Sequence, residues 1–195
     1  MFVKSLTRII PFALLLNLTG CSEPKMPEPM GLTYLTQAPL KVDVAHIEVV
    51  KKFKSKNQRP HVEHEFPVPP IAMVQQWVHD RFLAVGKSGT MTVTIEDASV
   101  VEVVLKGTKG FKGLFTIDQS ERYDANVALK IEVTDDAGTS TGFTNASAKG
   151  SKSVSENMTL GQRRKVWMNL MEKVLNNLDG EVERNVQTHL GKFLK

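Results

Sequence analysis

The chain has 195 residues, 41% of them apolar and 24% charged, enough for one domain with its own hydrophobic core. Its formal net charge is +4, and removing Lys4 and Arg8, the only charges in residues 1–20, leaves +2 for residues 21–195. That is too little to point to nucleic acid, and none is expected as a partner. The single cysteine, Cys21, cannot form an internal disulfide, so the fold must rest on its core.

The N-terminus carries Lys4 and Arg8 with no acid before Glu23, then an apolar run from Ile9 to Leu18 interrupted by Pro11 and Asn17. A membrane-spanning helix needs roughly 20 apolar residues. This run is far shorter, and its length and flanks predict a secretory signal over residues 1–20. Leu18-Thr19-Gly20-Cys21 follows. Small residues suit a peptidase that grips an extended backbone, and the thiol is the one nearby side chain nucleophilic enough to take a diacylglyceryl group readily. This stretch resembles the bacterial lipobox. The resemblance implies cleavage before Cys21, lipid on its sulfur and permanent membrane attachment. Each buried methylene contributes about 0.8 kcal/mol, and stable anchoring takes two chains or more.

Residues 21–39 read as a lipidated tether, with Pro24, Pro27, Pro29 and Pro39 favouring extended, poorly paired chain. Fully extended, residues 22–39 reach at most roughly 60 Å. A single domain is expected over residues 40–195. Leu40 to Val50 alternates apolar and polar at first, which predicts a half-buried strand ending near Phe53. A polar loop with Lys51, Lys52, Lys54, Lys56 and Arg59 follows. Pro67, Pro69 and Pro70 lead into a helix, proline being tolerated in a first turn. Ile71, Val74, Trp77, Val78, Phe82 and Val85 form its apolar stripe, and Gly86 and Gly89 bracket its end.

Thr90 to Leu105 is rich in Thr, Val and Ile, with Met91, Val93 and Ile95 on one face and a bulge expected at Glu96-Asp97. Tyr123 to Val133 is the clearest strand, its odd-numbered residues facing the core. Asp135 to Gly138 is a turn signal, and Thr141 to Val154 is expected to return with Gly142, Thr144, Ala146 and Ala148 on one face. The last helix opens at Thr159, with Gln162 as capping partner. Val166, Leu170, Val174, Leu178, Val182, Val186, Leu190 and Leu194 recur every four residues, which at 1.5 Å per residue makes a rod of about 50 Å. Asp179-Gly180 is a candidate bend. The far end is expected to project or to meet a partner. Trp77 and Trp167 are assigned to the core.

Two helices on one face of a small, mostly antiparallel sheet, in the order β-α-β-β-β-α, make an α+β fold. That order, behind a lipobox and a proline-rich tether, resembles proteobacterial outer-membrane accessory lipoproteins of the lipopolysaccharide-assembly and ABC-transport auxiliary types. The resemblance implies a non-catalytic, accessory role. In enterobacteria an aspartate after the cysteine retains a lipoprotein at the inner membrane, so Ser22 leans towards the outer membrane and its periplasmic face.

His61, Glu63, His64 and Glu65 are the one ligand-like cluster. Imidazoles and carboxylates bind zinc, but Pro60 and Pro67 preclude the helix that would align them, so a solvated loop without metal is expected. The sequence contains no Gly-x-Ser-x-Gly, P-loop or dinucleotide fingerprint. No cofactor and no enzymatic activity are expected. Residues 106–115 place three lysines and three glycines around Phe111, Leu114 and Phe115. Lys106, Lys109, Phe111 and Lys112 are therefore candidate contacts for anionic lipid headgroups or a partner. The alternative is a plain inter-strand loop whose phenylalanines enter the core. The expected function is that of a non-enzymatic subunit or adaptor of an envelope assembly, with lipid or lipopolysaccharide transport as the candidate process. The alternatives are a stand-alone lipid- or peptidoglycan-binding module and, third, a metallohydrolase built on the His61 cluster.

Overall fold

A computed structural model describes residues 37–105 and 119–195, all within the unit Leu32–Lys195. The signal and lipobox, Cys21, most of the tether and Lys106, Lys109, Phe111 and Lys112 lie outside the described residues. The elements are β1 (Leu40–Val42), β2 (His46–Lys51), α1 (Pro70–Arg81), β3 (Phe82–Ala84), β4 (Thr90–Val104), β5 (Gln119–Thr134), β6 (Ser140–Ser155) and α2 (Leu160–Leu190). The α+β class is as expected. A four-stranded sheet runs β2-β4-β5-β6, with β2 parallel to β4 and the remaining pairs antiparallel, and a separate two-stranded parallel sheet joins β1 to β3.

The three long strands follow their alternation. On β5, Tyr123, Ala125, Val127, Leu129, Ile131 and Val133 are buried, while Asp124, Asn126, Lys130 and Glu132 are not. On β4, Met91, Val93 and Ile95 are buried and then Ala98 and Val100, because the ladder to β5 slips between Ile95 and Asp97. One extra residue at a bulge reverses which parity faces the core. The β5–β6 turn closes on Asp135, whose carboxylate accepts from the Ala137 and Thr139 N–H groups at 3.0 and 2.8 Å. Gly138 there has φ +78°, a conformation that disfavours side chains.

The expected strand from Leu40 to Val50 is instead two strands in two sheets. Val42 and Val44 are both fully buried, and the Ala45 N–H turns to the Ser88 and Gly89 carbonyls. Gly86 permits this passage: a Cβ there would sit 2.5 Å from the backbone of Asp43 and Val44. The first helix ends at Arg81, short of Val85. Phe82 to Ala84 leave it because Leu40 to Val42 offer parallel ladder partners, and Phe82 still packs edge-on against Trp77 at 6.1 Å. Phe82 is thus core on a strand, and Val85 is 42% exposed.

Helix α2 begins with the expected capping box: the Gln162 N–H donates to Thr159 Oγ1, and the Gln162 side chain accepts from the Thr159 N–H at 2.8 Å. It runs uninterrupted through Gly180 to Leu190. Its apolar stripe is buried from Trp167 to Leu190. Glycines on β6 let it lie close: a Cβ on Gly150 would meet Val174 at 2.8 Å and one on Gly142 would meet Leu190 at 2.8 Å. The far end does not project. Beyond Leu190 the chain turns back, the Asp43 N–H donates to the Phe193 carbonyl at 2.7 Å, and Val42 bridges Leu194. Trp77 and Trp167 are both buried, Trp167 stacked on Phe66 at 5.3 Å and edge-on to Tyr123 at 5.3 Å. No described helix is long and apolar enough to cross a membrane.

Candidate functional site

Among the described residues, α1 and α2 bury one sheet face and nothing covers the opposite face of β4, β5 and β6. A shallow depression of about 640 Å³ lies there, lined by Ser99, Val101, Asp124, Asn126, Lys149 and Ser151 among others. Its walls are held by local polar bonds. The Asn126 amide donates to Asp97 at 2.5 Å, Asp97 accepts from the Ser99 N–H at 2.9 Å, and Arg122 grips Asp124 with two bonds of 2.8 and 2.7 Å. Charge-assisted bidentate bonds of this kind fix a side chain's direction. They hold the face as a polar surface with no concentration of one charge sign.

The His61 cluster is structural in its geometry. Glu63 sits in a single 3₁₀ turn, 3% exposed. Its Oε1 accepts from the Val100 N–H at 2.8 Å and lies 3.2 Å from His61 Nδ1, and its Oε2 accepts from Ser55 at 2.8 Å. Burial raises the carboxyl's pKa, but the hydrogen bonds from Val100, its own N–H, Ser55 and His61 outweigh it and hold the group below the ordinary carboxylate range. Glu65 turns instead to Arg59 at 3.1 Å, and Arg59 also pairs with Glu102. His61 bridges Val101, so the segment stitches the loop after β2 to the edge of β4. Among the described residues no group of three or more His, Cys, Asp or Glu is placed to hold a metal ion.

Two further networks were not legible as partnerships in the sequence. Arg81, the last residue of α1, is 1% exposed. Its Nε lies 2.7 Å from Asp179 Oδ1 and its guanidinium reaches Glu183 at 3.1 Å, both on α2. It also donates to the Ala38 carbonyl at 2.6 Å and to Gln37 at 3.2 Å, pinning the start of the domain to the junction of the two helices. At the other end of α2, Glu121 accepts from Tyr123 at 2.7 Å and pairs with Arg163. Burial and the Glu121 carboxylate raise the Tyr123 phenol above its ordinary pKa, against the opposing effect of Arg163. The amphipathic pattern marks Arg81 and Asp179 only as polar residues adjoining apolar stripes. Their pairing across 98 residues of sequence carries no local signal.

No protein-family model matches this sequence, and no curated protein does. Among solved structures the chain is similar to a minor lipoprotein from Acinetobacter baumannii, at 7% identity over 73% of this chain and 90% of that one, with a TM-score of 0.39. It is also similar to the rare lipoprotein B from Shewanella oneidensis, at 6% identity over 71% of this chain and 92% of that one, with a TM-score of 0.36. Both are lipoproteins.

Proposed function

We propose that this chain is an exported lipoprotein, held on a membrane through Cys21, that serves as a non-enzymatic accessory subunit or adaptor of an envelope complex. The observation that carries the reading is Leu18-Thr19-Gly20-Cys21 behind a basic and then apolar N-terminus, with Cys21 the sole cysteine of the sequence. The charged clusters around Glu63, Arg81 and Arg163 are engaged in joining one element to another. The periplasmic face of the outer membrane is the proposed location, and movement of lipid or lipopolysaccharide the proposed process.

The test is metabolic labelling with radioactive palmitate, followed by detergent extraction and purification. Labelling that Cys21→Ser abolishes, together with a stoichiometric protein partner, supports the reading. A Cys21→Ser protein that remains labelled and mature overturns the anchor. Bound lipid with no protein partner favours a stand-alone lipid-binding module instead.

A further inference from the structure

The two edges of the main sheet are treated differently. At one edge β2 is six residues long, and beyond it the chain itself covers β4: the Val62 N–H donates to the Val100 carbonyl at 3.0 Å and the Glu102 N–H to the Pro60 carbonyl at 2.8 Å. At the other edge β6 runs for 16 residues without proline, its ladder to β5 unbroken from Gly142 to Val154. Among the described residues no strand pairs with its outer side, and long, regular, unpaired edges are what folded proteins ordinarily avoid.

The pairing phase shows which groups β6 leaves free. The Leu105 N–H donates to the Ser120 carbonyl, so the even-numbered residues of β5 direct their backbone groups to β4. The odd-numbered ones then face β6, and since Ala125 pairs with Gly150 and Val127 with Ala148, the even residues of β6 answer them. The N–H and C=O groups of Phe143, Asn145, Ser147, Lys149 and Ser151 therefore point away from the sheet. Asn185 of α2 donates to one of them, the Asn145 carbonyl, at 2.8 Å, which places that flank of α2 beside the edge. Between the two runs a trough. One part, about 440 Å³, lies against Asn176, Asn177 and Gly180, and the next, about 270 Å³, against Val166, Leu170 and Lys173. A free strand edge beside a helix-walled groove suits an added strand, whose backbone continues the ladder while alternate side chains enter the groove.

Charge selects the occupant. Lys149, Lys152 and Lys173 border the trough and make no ion pair among the described residues, while Arg184 is matched by Glu181 at 2.5 Å. A second copy paired through its own β6 would bring Lys149 and Lys152 of both chains along one seam, where like charges oppose association. We infer that the β6 edge and its trough form a docking site for an extended acidic strand of a partner protein. The inference goes beyond the lipoprotein reading and does not depend on the state of Cys21.

The probe is a nine-residue peptide alternating Glu with Val and Thr, with a twin carrying Lys for Glu, added to detergent-purified full-length protein. The acidic peptide should slow amide hydrogen exchange across residues 143–151, and the basic twin should bind at least about tenfold more weakly. Ser147→Pro removes one outward N–H at a position where an edge strand tolerates proline, so it should weaken binding at least about tenfold with little change in Tm. Lys149→Glu should reverse the preference between the peptides, and it carries the test by itself if Ser147→Pro lowers Tm. Absence of protection at millimolar acidic peptide, or equal binding of the two peptides, overturns the inference. So does a concentration-dependent dimer of the peptide-free protein that Ser147→Pro abolishes, which would assign the edge to a second copy.

Discussion

Arg81→Ala removes a guanidinium that is 1% exposed and leaves four groups behind it: Asp179, Glu183, the Ala38 carbonyl and the Gln37 side chain. Glu183 has a third of its side chain in water and can be resolvated, so its loss is discounted. Asp179, with its side chain 7% exposed, cannot. An uncompensated buried charge of this kind costs about 3–5 kcal/mol. For a domain of this size each kcal/mol corresponds to roughly 2–4 °C, so Tm should fall by about 6–20 °C. The double variant Arg81→Met, Asp179→Leu replaces both partners with apolar groups of similar bulk and should recover most of the loss, as buried ion pairs generally do. Urea denaturation of the single and double variants closes the cycle. Both should also expose the backbone near Ala38 to limited proteolysis, because the guanidinium that holds it is gone. A loss below about 1 kcal/mol for Arg81→Ala, or a double variant no better than the single one, would refute the account of Arg81 as a buried clamp.

Two other substitutions test the knot at the sheet edge and the helix–sheet contact. The Glu63 carboxyl is held below its ordinary pKa of about 4.3, so its stabilising effect is present above that value and is lost as pH falls through the lower folded-state value. Glu63→Gln should cost about 1–3 kcal/mol at pH 7 and flatten the acid limb of the stability profile, measured by urea denaturation between neutral and acid pH; an unchanged acid limb would remove Glu63 from the explanation. Gly150→Val places a Cβ 2.8 Å from Val174 and 3.1 Å from Leu170, so it should destabilise by about 1–3 kcal/mol and shift the urea midpoint down, whereas Gly138→Ala, with nothing within 4 Å, should show only the smaller cost of its positive φ.

What the sequence determined by itself was whatever depends on neighbours along the chain. Alternation from Tyr123 to Val133 assigned the buried face of β5, the Thr159–Gln162 pair located the start of α2, and the change of parity after Ile95 marked the bulge. Each is a local pattern read against a period of 2.0 or 3.6. Tertiary structure decided the rest. Leu40 to Val50 became two strands, and Phe82 left the helical stripe, because short segments take up whichever backbone partners the fold brings to them. Phe82 to Ala84 could remain helical or join Leu40 to Val42, and nothing local separates those outcomes. The same holds for the end of α2, whose apolar stripe implied a partner that proved to be the chain's own sheet, reached because Gly142 and Gly150 admit close approach. Arg81 and Asp179 are the extreme case. Charged residues are ordinarily solvated, and only the packing of α1 against α2 removes these two from water together. That pairing, like the open edge of β6, is a property of elements distant in sequence, and no window along the chain contains both sides of it.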